Sequence, residues 1–257
     1  MQNVERSPAS QAVDPIQLEE WALNAWPALE QILYDGWILR FAEGHTKRSN
    51  SVNPTYRSTL DLDEKIASCE HAFAARGLPT IFRLTPFSQP PSLDEVLSDR
   101  GYVAVDRTFV MTRSLDSASD TEAADSVRRV DLASWLDAFE SFGLLPPEEM
   151  TTRRRLLKRI PTESIPLVTE VGGQSVGVNL GIREGEAIGL FALFVKPYAR
   201  QSGLGTALVE ETLRRGAECG ATIAYLQVEE ENHPARALYE RLGFVEAYPY
   251  WYRIGGP

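Results

Sequence analysis

The chain reads as an α/β protein, and three features of the sequence say so. Short apolar runs rich in β-branched and aromatic residues, at 80–84, 188–195 and 222–228, alternate with stretches whose apolar residues recur every three or four positions. Glycine or proline punctuates most of the boundaries between them. The unit strand, loop, short helix, Gly-aromatic, strand also occurs twice. Thr80-Ile81 to Gly101-Tyr102 matches Thr222-Ile223 to Gly243-Phe244, with the same 21-residue separation from Thr to Gly. Such self-similarity implies two related domains.

In chain order, residues 1–15 are polar and are expected to form a disordered tail. A helix is expected from residue 16, with Leu18, Trp21, Ala22, Ala25, Trp26 and Leu29 recurring at three and four, in a region that Gly36 ends. Residues 37–42 then alternate as a strand. A polar loop over 45–50 leads into a short extended piece that closes at Asn53-Pro54. Residues 61–76 read as a helix, with Asp61 or Asp63 as cap and Gly77 at its end. Residues 80–84 read as a strand, 92–100 as a helix capped by Ser92, and 102–113 as one or two strands. The segment 116–126 is acidic and nearly free of large apolar residues, as a linker should be. It separates a first domain, 16–115, from a second, 127–257. The second opens with a strand at 127–130 and helices over 131–142 and 147–160. A hairpin follows across Gly172-Gly173, then the central strand.

Composition sets the outer limits. With 43% apolar and 24% charged residues the chain falls in the soluble globular class, and 257 residues suffice for one large core or two ordinary ones. A net charge of −10 argues against nonspecific nucleic-acid binding and against attraction to an anionic membrane. The two cysteines, Cys69 and Cys219, lack metal or disulfide spacing and are expected to be reduced thiols of a cytoplasmic protein. No apolar run reaches the ~18 residues of a membrane span, and the polar start is not a signal peptide. His45, His71 and His233 show no metal spacing, so no metal is expected. The basic run Arg153 to Arg159 is expected to be a solvated helix face.

The most informative stretch follows the central strand. Pro197 ends the strand, and Arg200-Gln201-Ser202-Gly203-Leu204-Gly205-Thr206 leads into a helix with Leu204, Leu208, Val209, Leu213 and Ala217 on or near one face. A strand, a glycine loop and a helix N-terminus aim several backbone N–H groups and the positive end of a helix dipole at one point. The natural guest is a phosphate or pyrophosphate. It is not a Walker A loop, because Thr206-Ala207 stand where Lys-Ser/Thr is needed. Nor is it the dinucleotide fingerprint, because Leu208 stands where the third glycine or alanine belongs.

The pattern Arg200-x-x-Gly203-x-Gly205 after a strand ending Val195-x-Pro197 resembles the acyl-CoA-binding signature of the GCN5-related N-acetyltransferase (GNAT) family. A second motif lies downstream: Asn232-x-x-Ala235-x-x-Leu238-Tyr239-x-x-x-Gly243-Phe244. The resemblance covers about the last half of the chain. It implies an α+β acyl-CoA N-acyltransferase fold: a mixed, mostly antiparallel sheet whose central strand splays from the next one. It implies that acetyl-CoA is the cosubstrate. Its pantetheine arm would lie against the backbone near Phe194 and Val195, and its pyrophosphate on the amides of Arg200, Gln201, Ser202, Gly203, Leu204, Gly205 and Thr206. Arg200 and Lys196 would add charge, and Asn232 would contact the cofactor from the far side of the cleft. Tyr239 occupies the family's general-acid position.

The acceptor implied is an amine of a small molecule, peptide or protein, and the assembly a monomer or homodimer. Only a neutral amine attacks a thioester; at neutral pH deprotonation costs about 4–5 kcal/mol for a lysine-like amine and about 1 kcal/mol for an α-amino group, so a base is needed more for the first kind. Glu170, Glu186 and Glu229 lie on or beside strands, and the sequence does not say which faces the cleft. The first domain is expected to be a degenerate copy. Pro90 stands opposite Asn232, Leu97 stands opposite Tyr239, and no Gly-x-Gly precedes its long helix. Trp37, Arg48, Asn50 and Asn53 could line an acceptor pocket there or be structural. Asn232 could be only a helix cap, and Tyr239 only a core residue. A noncatalytic acyl-CoA sensor using the same cleft is the alternative.

Overall fold

The computed structural model describes residues 13–115 and 126–255. Most of the tail expected over 1–15 and nearly all of the linker expected over 116–126 lie outside them.

The chain begins with α1 (Pro15–Ala25), whose N-cap Asp14 accepts a hydrogen bond from the Ile16 amide and whose first residue is the proline. An antiparallel hairpin of β1 (Glu30–Tyr34) and β2 (Trp37–Phe41) follows. The first of these strands differs from the sequence expectation of a helical region reaching to Gly36. Asp35 (φ +42) and Gly36 (φ +82) form the two-residue turn, and a Cβ on Gly36 would fall 2.2 Å from the Arg57 carbonyl. Then come β3 (Val52–Asn53), α2 (Leu62–Ala74), β4 (Ile81–Leu84), α3 (Leu93–Asp99) and the long β5 (Val103–Ser114).

The second half contains β6 (Val127–Arg129), α4 (Leu132–Glu140), α5 (Pro147–Leu157) and the hairpin β7 (Glu163–Val171)–β8 (Gln174–Glu184). It continues with β9 (Ala187–Val195), α6 (Leu204–Glu218), β10 (Ile223–Glu229), α7 (His233–Arg241) and β11 (Val245–Ile254).

The eleven strands of the described residues form one sheet, in the order β1-β2-β3-β4-β11-β5-β10-β9-β8-β7-β6. Each half carries a parallel strand–helix–strand crossover, β3–α2–β4 and β9–α6–β10, followed by a short helix and a last strand. Those last strands are exchanged. β5 pairs with β10 of the second half, β11 pairs with β4 of the first, and the two lie antiparallel to each other at the centre.

The exchange and the packing of α1 weld the halves together. Trp21 of α1 stacks on Tyr225 of β10 at 6.4 Å, and Trp26 stacks on Phe191 of β9 at 5.8 Å. Alternation along β11 turns Tyr248, Tyr250 and Tyr252 inward to the same core. Beneath them Glu19 of α1 and Arg83 of β4, each 2% exposed, form a bidentate ion pair, and the Tyr248 hydroxyl donates to Glu19 Oε1 at 2.6 Å.

The β1–β2 turn has its own anchor. Asp35 accepts hydrogen bonds from the Leu60 and Thr59 amides and lies 3.3 Å from Lys65 Nζ. Those contacts, the Leu60 amide foremost, lower its carboxyl from 3.8 to about 2. A depressed carboxyl stabilises the fold above its unfolded value, and that contribution disappears as pH falls from about 4 towards 2. Asp35→Asn should therefore flatten the dependence of the urea midpoint on pH in that window. An unchanged acid limb would contradict the role given to Asp35.

Candidate functional site: a cleft between β9 and β10

The parallel pairing of β9 and β10 stops at Leu190 and Leu226. Beyond those residues β9 keeps its ladder with β8, and β10 keeps its ladder with β5, so a gap opens between them. A bulge in β9 helps it open: Ala192 has φ +51, and the register against β8 slips between Phe191 and Phe194. A cavity of about 580 Å³ fills the gap. Its walls come from the β9 bulge, the end of β10, α7, and the first half of the chain.

The expected site residues take these places. Phe194, Asn232 and Tyr239 line the cavity. The Val195 carbonyl accepts from Arg200 Nε at 3.0 Å, which folds the arginine back over the end of β9, 5.8 Å from the Phe194 ring. Gln201 (φ +60), Ser202 and Gly203 are exposed, and the Ser202 hydroxyl donates to the Ala199 carbonyl at 2.6 Å. Gly203 (φ +84) is the N-cap of α6 and supplies no side-chain partner, and Leu204, Gly205 and Thr206 form the first turn. Among the described residues, none of the backbone N–H groups of 201–206 meets an acceptor. Open donors at a helix N-terminus suit an anion. The loop also lies beside α7, since a Cβ on Gly205 would be 3.8 Å from Leu238.

Asn232 caps α7, its side chain accepting from the Ala235 amide at 3.3 Å, so it does at least the structural task. Tyr239 is 8% exposed and packs edge-to-face on Phe244 at 5.9 Å. Its hydroxyl makes no hydrogen bond among the described residues, and burial pushes the phenol up to about 12. The three candidate bases separate. Glu229 lines the cavity, Glu170 is held by Arg128 at 2.6 Å on the surface, and Glu186 sits in the β8–β9 turn.

Of the four residues named in the first half, Arg48 reaches the cavity. Trp37 is in the core and donates to the Gln89 carbonyl, while Asn50 and Asn53 bond neighbouring backbone. The basic run needs a correction. Arg154 and Arg155 do face outward to Asp137 and Glu43, but Arg153 is buried and lines the cavity. Trp26, Thr108 and Tyr250 join the cavity wall in addition to the residues the sequence indicates. They arrive through α1 and the exchanged strands, and the inward alternation of the three β11 tyrosines was the available signal for the last. Cys69 is buried and Cys219 half-buried, both as free thiols. Among the described residues no three His, Cys, Asp or Glu side chains gather as a metal site. No helix there is long and apolar enough to cross a membrane.

A family model described as the C-terminal region of the probable histone acetyltransferase Rv0428c matches residues 16–253, nearly the whole chain. The chain belongs to the GCN5-related N-acetyltransferase family. By that membership it is an acyltransferase. The uncharacterized N-acetyltransferase YobR of Bacillus subtilis (strain 168) is 29% identical over 255 residues, covering 93% of this chain and 97% of YobR. A GCN5-related N-acetyltransferase from Kribbella flavida superposes with a TM-score of 0.69 at 16% identity, over 94% of this chain and 93% of its own. A tandem GNAT protein from the clavulanic acid biosynthesis pathway has a TM-score of 0.57 at 14% identity, over 80% and 76%. These structural likenesses concern the fold, and they extend across both halves of this GNAT chain.

Proposed function

We propose that this GNAT protein transfers an acetyl group from acetyl-CoA directly to an amine of a small molecule or peptide, in the cytoplasm, as a monomer or homodimer. The observation that carries the reading is the gap beyond Leu190 and Leu226, which has Tyr239 in its wall and the 201–206 loop, with its open amides, beside Val195 at the end of β9. In this reading residues 127–257 are the catalytic unit. Residues 16–115 are a degenerate copy with the same crossover order but no glycine loop, and they close the acceptor side of the cleft.

Bound there, acetyl-CoA would supply the thioester carbonyl. The 201–206 amides would hold its diphosphate, with Arg200 nearby, and the unladdered edge of β9 at Phe194 and Val195 would pair with the amide groups of its arm. Asn232 would flank it from α7. Glu229 would accept the amine proton, directly or through a water, and Tyr239 would donate a hydrogen bond to the departing sulfur.

Gly205→Asp tests the cofactor assignment. The site has room for the side chain, a first-turn carboxylate favours the helix, and the added charge would repel a diphosphate. Calorimetry should show acetyl-CoA affinity falling at least about tenfold with an unchanged melting temperature. Equal affinity would remove the loop from the cofactor site. For the reaction, CoA thiol release is followed across a panel of amines. Saturable acetyl-CoA binding with no release for any amine would favour the noncatalytic sensor instead.

A further inference from the structure

Two arginines stand in the cavity without a carboxylate. Arg48, in the turn before β3, has its guanidinium carbon 5.7 Å from the Trp26 ring and 5.9 Å from Phe191. Arg153 of α5 is 9% exposed, and its guanidinium carbon lies 5.5 Å from the same Trp26 ring and 4.5 Å from Phe139. Both therefore flank one indole. The chain carries 36 acidic residues against 26 basic ones, and most arginines elsewhere meet a carboxylate, as Arg154 and Arg155 do on the same helix. Among the described residues neither Arg48 nor Arg153 has one within ion-pair distance, and Arg48 Nε is buried with no acceptor. Two like charges held together in a low-dielectric pocket are costly, so the arrangement calls for an anion.

Both are held by further contacts. Arg153 Nε donates to His45 Nε2 at 3.3 Å, and His45 Nδ1 contacts Glu149 Oε2 at 3.1 Å. Burial and Arg153 itself push the His45 pKa down, so the ring stays neutral and its Nε2 accepts the hydrogen bond from Arg153 Nε. Burial, then Arg48, lowers Arg153 only to about 10, which leaves it charged near neutrality. The turn bearing Arg48 is clamped by buried Arg40, which donates to the Arg48 and Leu23 carbonyls. Around the pair, Lys47 and Asp106 neutralise each other at 2.5 Å, the Tyr250 hydroxyl is hydrogen-bonded to Arg48, Glu149 acts on Arg153 from beyond His45, and Glu229 stands in the cavity wall, so among the described residues no carboxylate forms a direct ion pair with either guanidinium.

We infer that Arg48 and Arg153 form the carboxylate-binding subsite of the acceptor pocket, so that the acceptor is an amine that also bears a carboxylate, of the amino-acid or peptide class. This rests on the acyltransferase reading for its chemistry, while the subsite itself is a binding site that can be tested separately. Trp26, Phe139 and Phe191 provide an apolar wall for the body of such a molecule, and guanidinium groups match a carboxylate in a planar, two-point fashion. Polyamines and other purely cationic amines would be repelled.

The test uses matched probes that need no turnover: a panel of N-acetyl-L-amino acids and N-acetyl-dipeptides, which resemble the product, against the same compounds as carboxamides. Affinities are measured on the full chain by calorimetry in the presence of saturating CoA, and again without it. At least one free carboxylate should bind at least about tenfold more tightly than its amide. That preference should vanish in Arg48→Gln, whose CoA affinity and melting temperature should match wild type. Arg153→Gln should behave alike, and if it fails to fold, Arg153→Lys should retain part of the preference. Absence of binding across the panel, or equal binding of acids and amides, would overturn the assignment. So would an Arg48→Gln defect confined to CoA, or a demand for O-phosphoethanolamine over any carboxylate. Failure of CoA to bind while the carboxylate preference persists would instead count against the acyltransferase reading alone.

Discussion

Tyr239→Phe is expected to lower kcat for CoA release on the order of 10²-fold while leaving acetyl-CoA affinity unchanged, within the range for a lost catalytic proton donor. The side chain is buried against Phe244, so removing one oxygen leaves the packing intact and takes away only the hydroxyl in the cavity wall. That hydroxyl has no partner among the described residues, which leaves it available to a ligand. With its pKa near 12 it is a weaker acid than a thiol at ~8.5, and complete proton transfer would be uphill by about 5 kcal/mol. The help proposed for it is thus a hydrogen bond to developing thiolate charge, with the proton taken up finally from solvent. A second consequence follows for the pH profile. No fall in rate from ionisation of Tyr239 should appear below about pH 11, so any loss at lower alkaline pH must also be present in the Phe variant. A Tyr239→Phe enzyme with full kcat would make the residue a core aromatic and nothing more.

Glu19→Ala should cost about 3–5 kcal/mol of stability, a large share of what a protein of this size has. Arg83 would be left charged and buried, with the Tyr250 ring 3.8 Å from its guanidinium carbon, and Tyr248 would lose its acceptor. The loss should reach further than one contact, because Glu19 lies on α1, Arg83 on β4 and Tyr248 on the exchanged β11. Urea unfolding followed by tryptophan fluorescence gives the value. Replacing the pair together, Glu19→Leu with Arg83→Met, should recover most of it, since no buried charge is then stranded. A cost below about 1 kcal/mol for Glu19→Ala would show that the Glu19–Arg83–Tyr248 cluster does not hold the two halves together.

The parts of this molecule legible in its sequence are those whose signal is local. The glycine loop at 200–206 and the Asn232–Phe244 motif are short runs in which each residue type answers to its own backbone. Their neighbours in space are one crossover away. The cavity wall that the first half contributes is hidden for the opposite reason. β5 and β10 lie more than a hundred residues apart, and an alternating aromatic strand carries no mark of which edge it will join. Thr108 and Tyr250 could not be assigned to the cleft without that pairing. The basic run does not reveal which way Arg153 points, because three arginines in a row rotate round a helix by about 100° each, so one of them faces inward while its neighbours stay solvated. β1 is masked in the sequence although Asp35-Gly36 is a hairpin signal, because the apolar spacing of α1 continues through Leu29.

Amide hydrogen exchange on titration with CoA tests the central claim most directly, because it reports on the backbone groups proposed to grip the ligand. Protection should rise in two segments, 191–195 on the free edge of β9 and 201–206 before α6, and the equivalent stretch of the first half, 54–61, should be unaffected. Unchanged exchange in 201–206 at saturating CoA, or protection centred on 54–61, would contradict the account.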